Sequence, residues 1–238
     1  MATPLMDEAV VAFDLATGTV RELNQALHEG HPDSPPTRAL ISNPSGKHAI
    51  AVGLNAPYDI EIDGHVGYYC AGMNQLATVR IRGNSGVGVA ENMMSGKVIV
   101  EGSASQSAGA TAHGGLLVIH GDASARCGIS LKGADIVVRG SVGHMTAFMA
   151  QTGRIVVLGD AGDSLGDSLY EARLYVRGSV ASLGADCIEK EVRPEHAAEL
   201  RELLERAGID DAEVGEFRRY GSARQLYNFH VEHLGSYG

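Results

Sequence analysis

Two glycine-rich segments of this sequence come closest to known ligand-binding motifs. The first, residues 83–88, reads Gly-Asn-Ser-Gly-Val-Gly and resembles a loop that holds phosphate groups with its backbone N–H donors. Such a loop belongs to a βαβ unit, whereas this segment follows no βαβ pattern and lies in the register of a longer repeat. We therefore expect no dinucleotide site here.

The second segment, residues 159–167, carries Asp160, Asp163 and Asp167, whose carboxylates could bind calcium. Their spacings of three and four differ from the alternating ligands and terminal glutamate of an EF-hand loop. A solvated turn is the favoured interpretation.

The cysteines and histidines also lack the spacing of a site, with no C-x-x-C and no H-x-x-x-H, and no serine lies in G-x-S-x-G. Cys70 and Cys127 are 57 residues apart. In a repeat this places them three rungs, or roughly 14 Å, apart, whereas a disulfide needs Cα atoms within about 7 Å. We predict free, buried thiols, including Cys187, and no catalytic, cofactor-binding or metal-binding residue in this chain.

A nineteen-residue repeat predicts the framework that would position any functional residues of this chain. Seven glycines recur at that spacing, and all fourteen residues found two and four places before them are aliphatic, from Ile60 and Ile62 to Leu174 and Val176. This alternation is typical of strands with one buried face, and the period indicates a solenoid. We predict an all-β, right-handed parallel β-helix, a single-stranded solenoid of seven 19-residue coils. The glycines are Gly64, Gly83, Gly102, Gly121, Gly140, Gly159 and Gly178.

The small residues of the repeat predict tight turns. Residues three and seven places after each glycine are all Gly, Ala or Ser. We expect the glycine itself to adopt a positive φ at the turn, and the small residues to let adjacent coils approach closely.

A second stripe on the strands is also apolar along the middle coils, where it includes Ile99, Val118, Val137 and Val156. One of the two apolar faces must be covered, either by the ends of this chain or by another protein. This pattern favours a subunit of a complex over a free enzyme.

The N-terminal region, residues 1–55, is predicted to cap the first coil as a small α/β unit. Residues 10–13 could form a strand, and Thr19 with Glu22 forms a capping box that opens a helix ending at Gly30. The β-helix domain is placed at residues 56–190.

The C-terminal region, residues 191–238, is predicted to hold a docking or capping helix and a tail. The helix lies between Pro194 and Gly208 and carries an apolar stripe. The tail is expected to wrap a partner subunit, with packing back on its own rod as the alternative. Its aromatic residues are Phe217, Tyr220, Tyr227, Phe229 and Tyr237, and the helix stripe is Ala197, Leu200, Leu204 and Ala207.

The composition of the chain argues against several other classes of protein. A net charge of −10 and a pI of about 5.4 argue against a nucleic-acid partner. No run of eighteen apolar residues predicts a membrane span, and the N-terminus lacks the regions of a signal peptide. We expect a cytoplasmic protein.

Several stretches resemble the GXGXG family, the β-helical domain that closes the large subunit of glutamate synthase. Residues 43–48, Asn-Pro-Ser-Gly-Lys-His, resemble its entry segment, and the glycine pattern from Gly64 to Ala185 resembles its coils. The nonrepeating stretches 143–151, 166–173 and 182–187 resemble the free-standing form of this domain, which is one subunit of methylamine–glutamate N-methyltransferase (N-methylglutamate synthase). The similarity is strong over residues 40–190 and weaker over 226–230.

This resemblance implies a three-part enzyme that makes N-methylglutamate from methylamine and glutamate and releases ammonia. The expected partners are an amidotransferase-like subunit and a synthase subunit that holds FMN and an iron–sulfur cluster. In glutamate synthase the equivalent domain is a spacer that lines part of the ammonia route, so this chain would be non-catalytic. The alternatives are the structural β-helical subunit of formylmethanofuran dehydrogenase or of the related formyltransferase/hydrolase complex, a glutamine-synthetase-linked binding module, and a scaffold with no enzyme attached.

Overall fold

The computed structural model describes residues 10–225, and its strands form one continuous sheet. The helices are α1 (Val20–His28) and α2 (Pro194–Ala207), and Val214–Glu216 forms a 3₁₀ turn. The strands are β1 (Val10–Asp14), β2 (Thr37–Ser42), β3 (Tyr58–Asp63), β4 (Thr78–Ile81), β5 (Lys97–Val100), β6 (Leu116–Ile119), β7 (Lys132–Val138), β8 (Thr152–Val157), β9 (Arg173–Val176), β10 (Cys187–Lys190) and β11 (Arg218–Ser222).

Strands β1 to β9 pair in chain order, each parallel to the next. From β3 the register advances by nineteen residues, so that Ile60 pairs with Val79 and Val79 with Val98. A second line of parallel bridges, from Val66 through Ser85 to Val180, repeats at the same spacing. Each coil therefore contributes one strand and one bridge, which confirms the prediction of parallel stacked coils.

The hydrophobic core fills the inside of the coils. All fourteen aliphatic residues of the predicted alternation are at most 1% exposed. Burying an aliphatic side chain of this size stabilises the fold by roughly 1.5–3 kcal/mol. The pattern read from the sequence therefore identifies the core face correctly.

The repeated glycines have a different role from the one predicted. Gly64 has a φ of +136°, but the six glycines that follow it in the register have negative φ, so the predicted positive φ is wrong for them. At Gly121 an added Cβ would lie 2.8 Å from the carbonyl carbon and oxygen of Gly102. The glycine is required because the backbone of the previous coil occupies the place of a side chain.

Left-handed backbone occurs seven residues after the repeat glycine, where the sequence has only Ala or Gly. In six of the coils the φ values there lie between 53° and 66°. The small residues noted in the sequence therefore mark one left-handed position of each of these coils. They are Ala71, Ala90, Gly109, Gly128, Ala147 and Gly166. Other left-handed positions lie two places before and after them, as at Tyr69 and Met73, where larger side chains are accommodated.

Helix α1 closes the N-terminal end of the core. Its capping box between Thr19 and Glu22 is present as predicted, and the helix ends at His28, two residues before the predicted Gly30. Leu23 and Leu27 are buried at 1% and 2% exposure. Ahead of the first repeat glycine, β1 and β2 extend the parallel ladder. The domain boundaries at residues 55 and 190 stay predictions.

Helix α2 lies along the side of the solenoid and covers the second apolar face. Its residues Leu200, Leu203 and Leu204 form one buried cluster with the outward side chains of the middle strands, such as Val118 and Val137. The helix begins at Pro194 and ends before Gly208, as predicted. Because this chain covers the stripe itself, the stripe gives no argument for a partner.

At the C-terminal end, β11 lies between β9 and β10 and is antiparallel to both. It buries Tyr220, and Phe217 just before it packs beneath α2, so these two aromatic residues pack on their own rod and not on a partner. The other tail aromatics, Tyr227, Phe229 and Tyr237, lie outside the described residues.

The sequence predicted no membrane-spanning segment, and both helices of the structure agree with this. Within residues 10–225, no helix is long and apolar enough to cross a bilayer.

Candidate functional site

The glycine loop at residues 83–88 is part of the stacked coils. A Cβ on Gly86 would lie 2.6 Å from the carbonyl carbon of Gly67, and one on Gly83 would lie 2.8 Å from that of Gly64. Backbone of the preceding coil, and not an open cradle, fills the space beside these glycines. The loop has no room for a phosphate group at these positions.

The acidic loop at residues 159–167 uses its carboxylates to bind neighbouring chain segments. Asp160 accepts hydrogen bonds from the backbone N–H and the hydroxyl of Ser179, at 2.7 and 2.8 Å. Asp163 accepts one from the hydroxyl of Ser182 at 3.0 Å. Across the described part of the chain, no three His, Cys, Asp or Glu residues form a group that could hold a metal ion.

A ladder of side-chain hydrogen bonds runs along one edge of the rod, and sequence reasoning missed it. The residue after each of the first six repeat glycines accepts the backbone N–H of the residue nineteen places later, at 2.7–3.1 Å, and Ser179 is the last donor of the series. The sequence contains a pattern that could have predicted the ladder, since all seven residues that follow the repeat glycines have hydrogen-bonding side chains. They are His65, Asn84, Ser103, Asp122, Ser141, Asp160 and Ser179.

The three cysteines are free and buried, as predicted. Desolvation raises the pKa of Cys70 and of Cys127 to about 12, so both thiols stay protonated and unreactive near neutral pH. Burial also raises the pKa of Cys187 to about 12.

Exposed apolar side chains occur in the loops of two adjacent coils, residues 64–101. We call this group the loop patch; it consists of Tyr68, Met73, Leu76, Val87 and Met94, which are 38–58% exposed. The ring of His48 stacks on Tyr68 with centroids 4.4 Å apart. Tyrosine and methionine are enriched in protein interfaces, so this patch has the composition of a contact surface.

Two open grooves lie on the surface of the rod. One, of about 580 Å³, lies over β1, β2 and β3 and includes Leu40, Glu61 and Arg82. There the Arg82 guanidinium, which binds Glu61 through two hydrogen bonds of 2.9 and 3.0 Å, lowers the pKa of that carboxyl group. The other groove, of about 760 Å³, lies beside the end of α2. Glu61 and Arg82 therefore form an ion pair, and this arrangement does not resemble a catalytic nucleophile paired with a general base.

The fold defines a class of protein: a parallel β-solenoid whose coils stack through glycine, with one amphipathic helix along its side. Within that class the chain belongs to the GXGXG family, whose model, described as the GXGXG motif, matches residues 37–207. The family resemblance of the sequence is thereby confirmed.

A curated relative extends this similarity over almost the whole chain. The chain is 61% identical over 225 residues to protein GlxC of Rhizobium meliloti (strain 1021). The matched region covers 94% of this chain and 99% of the relative.

Proposed function

We propose that this protein is a non-catalytic subunit of a glutamate-synthase-like complex that forms N-methylglutamate from methylamine and glutamate. Membership of the GXGXG family over residues 37–207 supports the assignment to this kind of enzyme. The observation that carries the role of a subunit is the loop patch. Its five large apolar side chains remain exposed although the chain covers its own second sheet face with α2.

The proposed partners are an amidotransferase-like subunit and a synthase subunit that binds FMN and an iron–sulfur cluster. The rod would hold these two at a fixed separation. Its nine parallel strands, stacked at about 4.8 Å, span roughly 40 Å. From Gly64 onward, successive coils are hydrogen-bonded along the strand, the bridge line and the polar ladder, so this part of the spacer is stiff along its axis.

The packed interior constrains any ammonia or methylamine route that this chain lines. The inward residues Val79, Val98, Leu117 and Ile136 are all fully buried, and they fill the centre of successive coils. Close packing of this kind leaves no continuous internal passage through the described coils. A route along this subunit would therefore run over its outer surface, between the rod and a partner.

The proposal is tested by purifying a tagged form of this chain from its source organism and identifying the proteins that accompany it. We expect an amidotransferase-like subunit and a protein with a flavin absorption spectrum and iron. The purified complex should form N-methylglutamate from methylamine and glutamate. Recovery of molybdenum- or tungsten-containing partners would assign the chain to a formyl-transfer complex instead, and recovery of no partner would overturn the proposal.

A further inference from the structure

A small basic pocket of about 200 Å³ lies where β9, β11 and β10 meet the first turn of α2. Among the described residues, four cations line it and Glu171 is the one carboxylate in its lining. This excess of positive charge occurs in a chain whose net charge is −10. The charged and titratable side chains of the lining are Arg173, Lys190, His196, Arg219 and Arg224, together with Glu171.

Two of the four cations have carboxylate partners. Arg224 binds both oxygens of Glu171, at 2.9 and 3.0 Å, and the Nε of Arg173 lies 3.3 Å from a carboxylate oxygen of Glu199. These pairs neutralise the charge on two sides of the pocket.

Arg219 and Lys190 have no ion-pair partner among residues 10–225. Arg219 is only 9% exposed, and its Nε donates a hydrogen bond of 2.9 Å to the carbonyl oxygen of Glu191. A carbonyl oxygen satisfies one donor but does not neutralise the charge. A nearly buried guanidinium without a counter-charge is costly unless an anion reaches it.

The strand register makes this arrangement more unfavourable. Arg219 of β11 pairs directly with Lys190 of β10 across the antiparallel ladder. Like charges directly opposite each other destabilise a strand pair. Desolvation is the main cause that lowers the pKa of His196, and the charges of Arg219 and Arg173 add to it while Glu195 and Glu199 oppose it. An anion between the two strands would relieve the repulsion and complete the pocket.

We propose that this pocket binds a small oxyanion, a phosphate or carboxylate group, between the guanidinium of Arg219 and the ammonium of Lys190. The volume fits a group of that size and is too small for a nucleotide. The arginine presents planar donors that match two oxygens of such a group, and the lysine adds a point charge. This site is independent of the proposed enzyme complex, because it lies wholly within this chain.

The test is isothermal titration of the full-length chain with inorganic phosphate and, separately, with glutarate as a carboxylate probe, in a low-salt buffer without other oxyanions. We expect one saturable site. Lys190→Gln should weaken binding by about tenfold or more, because it removes a charged donor. Arg126→Gln, which changes an exposed arginine on another coil, should leave binding unchanged.

Thermal unfolding supplies a second readout. Without any added oxyanion, Lys190→Gln should melt at or above the temperature of the wild type, since it removes the repulsion with Arg219. Phosphate should raise the melting temperature of the wild type and of Arg126→Gln but not that of Lys190→Gln. No saturable binding by the wild type, or equal binding by Lys190→Gln, would overturn the proposal.

Discussion

At the residue scale, the solenoid depends on the absence of a side chain at one place in each coil. A Cβ on Gly121 would lie 2.4 Å from the hydroxyl of Ser103 and 2.8 Å from the backbone of Gly102. The backbone of a packed rung cannot move aside as the end of a flexible side chain can. The restriction therefore comes from the distance between coils and not from the φ of the glycine.

Gly121→Val should lower the free energy of unfolding by about 1–3 kcal/mol or more, because the added atoms force two stacked coils apart. The matched control is Gly215→Val, since a Cβ at Gly215 has no atom within 4 Å. Urea unfolding of both variants measures the difference. Equal stability of Gly121→Val and the wild type would contradict the stacking geometry.

The polar ladder makes the stability of the fold depend on pH through the carboxylate of Asp160. Hydrogen bonds from the backbone and hydroxyl of Ser179 hold the pKa of Asp160 below its ordinary value of 3.8. A depressed folded-state pKa adds stability above the unfolded-state pKa, and this stability is lost as the pH falls through the folded-state value.

Asp160→Asn should therefore reduce the loss of stability between about pH 5 and pH 2, because asparagine keeps an acceptor but does not titrate. Asn84 already fills this position in another coil and accepts the N–H of Ser103 at 2.8 Å. Chemical unfolding at a series of pH values, with Asp33→Asn as the exposed control, measures the effect. Identical pH profiles for wild type and Asp160→Asn would show that the ladder bond does not favour the ionised form.

Sequence reasoning at this scale identified the buried aliphatic positions but not every reason for the repeat. Alternation predicted that Ile60 and Ile62 face inward because period-two spacing follows directly from strand geometry. It missed the ladder because residues such as Ser103 and Asp122 are also typical of solvated turns. It assigned the positive φ to the repeat glycine and not to the residue seven places later, because a glycine required by close approach of a neighbouring coil looks the same in the sequence as a glycine required by a turn.

At the element scale, α2 is fixed by an apolar stripe with charged residues at its edge. Asp135 of β7, which is 7% exposed, accepts two hydrogen bonds of 2.7 Å from Arg154 and one of 2.9 Å from Arg206 of the helix. At the other end, Glu199 accepts a hydrogen bond from the hydroxyl of Tyr175. These contacts orient the helix along the middle strands.

Leu203→Ala should destabilise the chain by about 2–5 kcal/mol, because Leu203 is fully buried between α2 and the sheet. Arg201→Ala on the exposed side of the same helix is the control and should change stability little. Guanidinium unfolding compares the two variants. If both had the same small effect, the contact between the helix and the sheet would be contradicted.

The limits of α2 could be predicted, but its position could not. Pro194 and Gly208 mark its ends by local backbone chemistry, whereas an apolar stripe does not specify the surface that it covers. The second stripe of the sheet was equally compatible with a partner. Whether α2 or a partner covers this stripe depends on the geometry of the chain between β10 and α2. The periodicity of the sequence does not encode that geometry.

At the scale of the whole molecule, the protein is a stiff rod with a filled interior, one self-covered face and an exposed loop patch. The solenoid was predictable because nineteen-residue spacing extends over seven coils. The loop patch and the basic pocket were not, because Leu76 and Met94, like Lys190 and Arg219, come together only after the coils stack or the C-terminal strands pair. The loop patch is therefore a surface through which partners could recognise the rod.

The most direct test of the subunit role is reconstitution with the two proposed partners, followed by native mass spectrometry and an assay of N-methylglutamate formation. A double change in the loop patch, Leu76→Glu with Met94→Glu, is compared with Leu183→Glu, a change at a side chain that is 39% exposed outside the patch. We predict that wild type and Leu183→Glu assemble and support activity, whereas the double variant folds but loses a partner. Assembly and activity that are unaffected by the double variant, or a wild type that binds neither partner, would contradict the account.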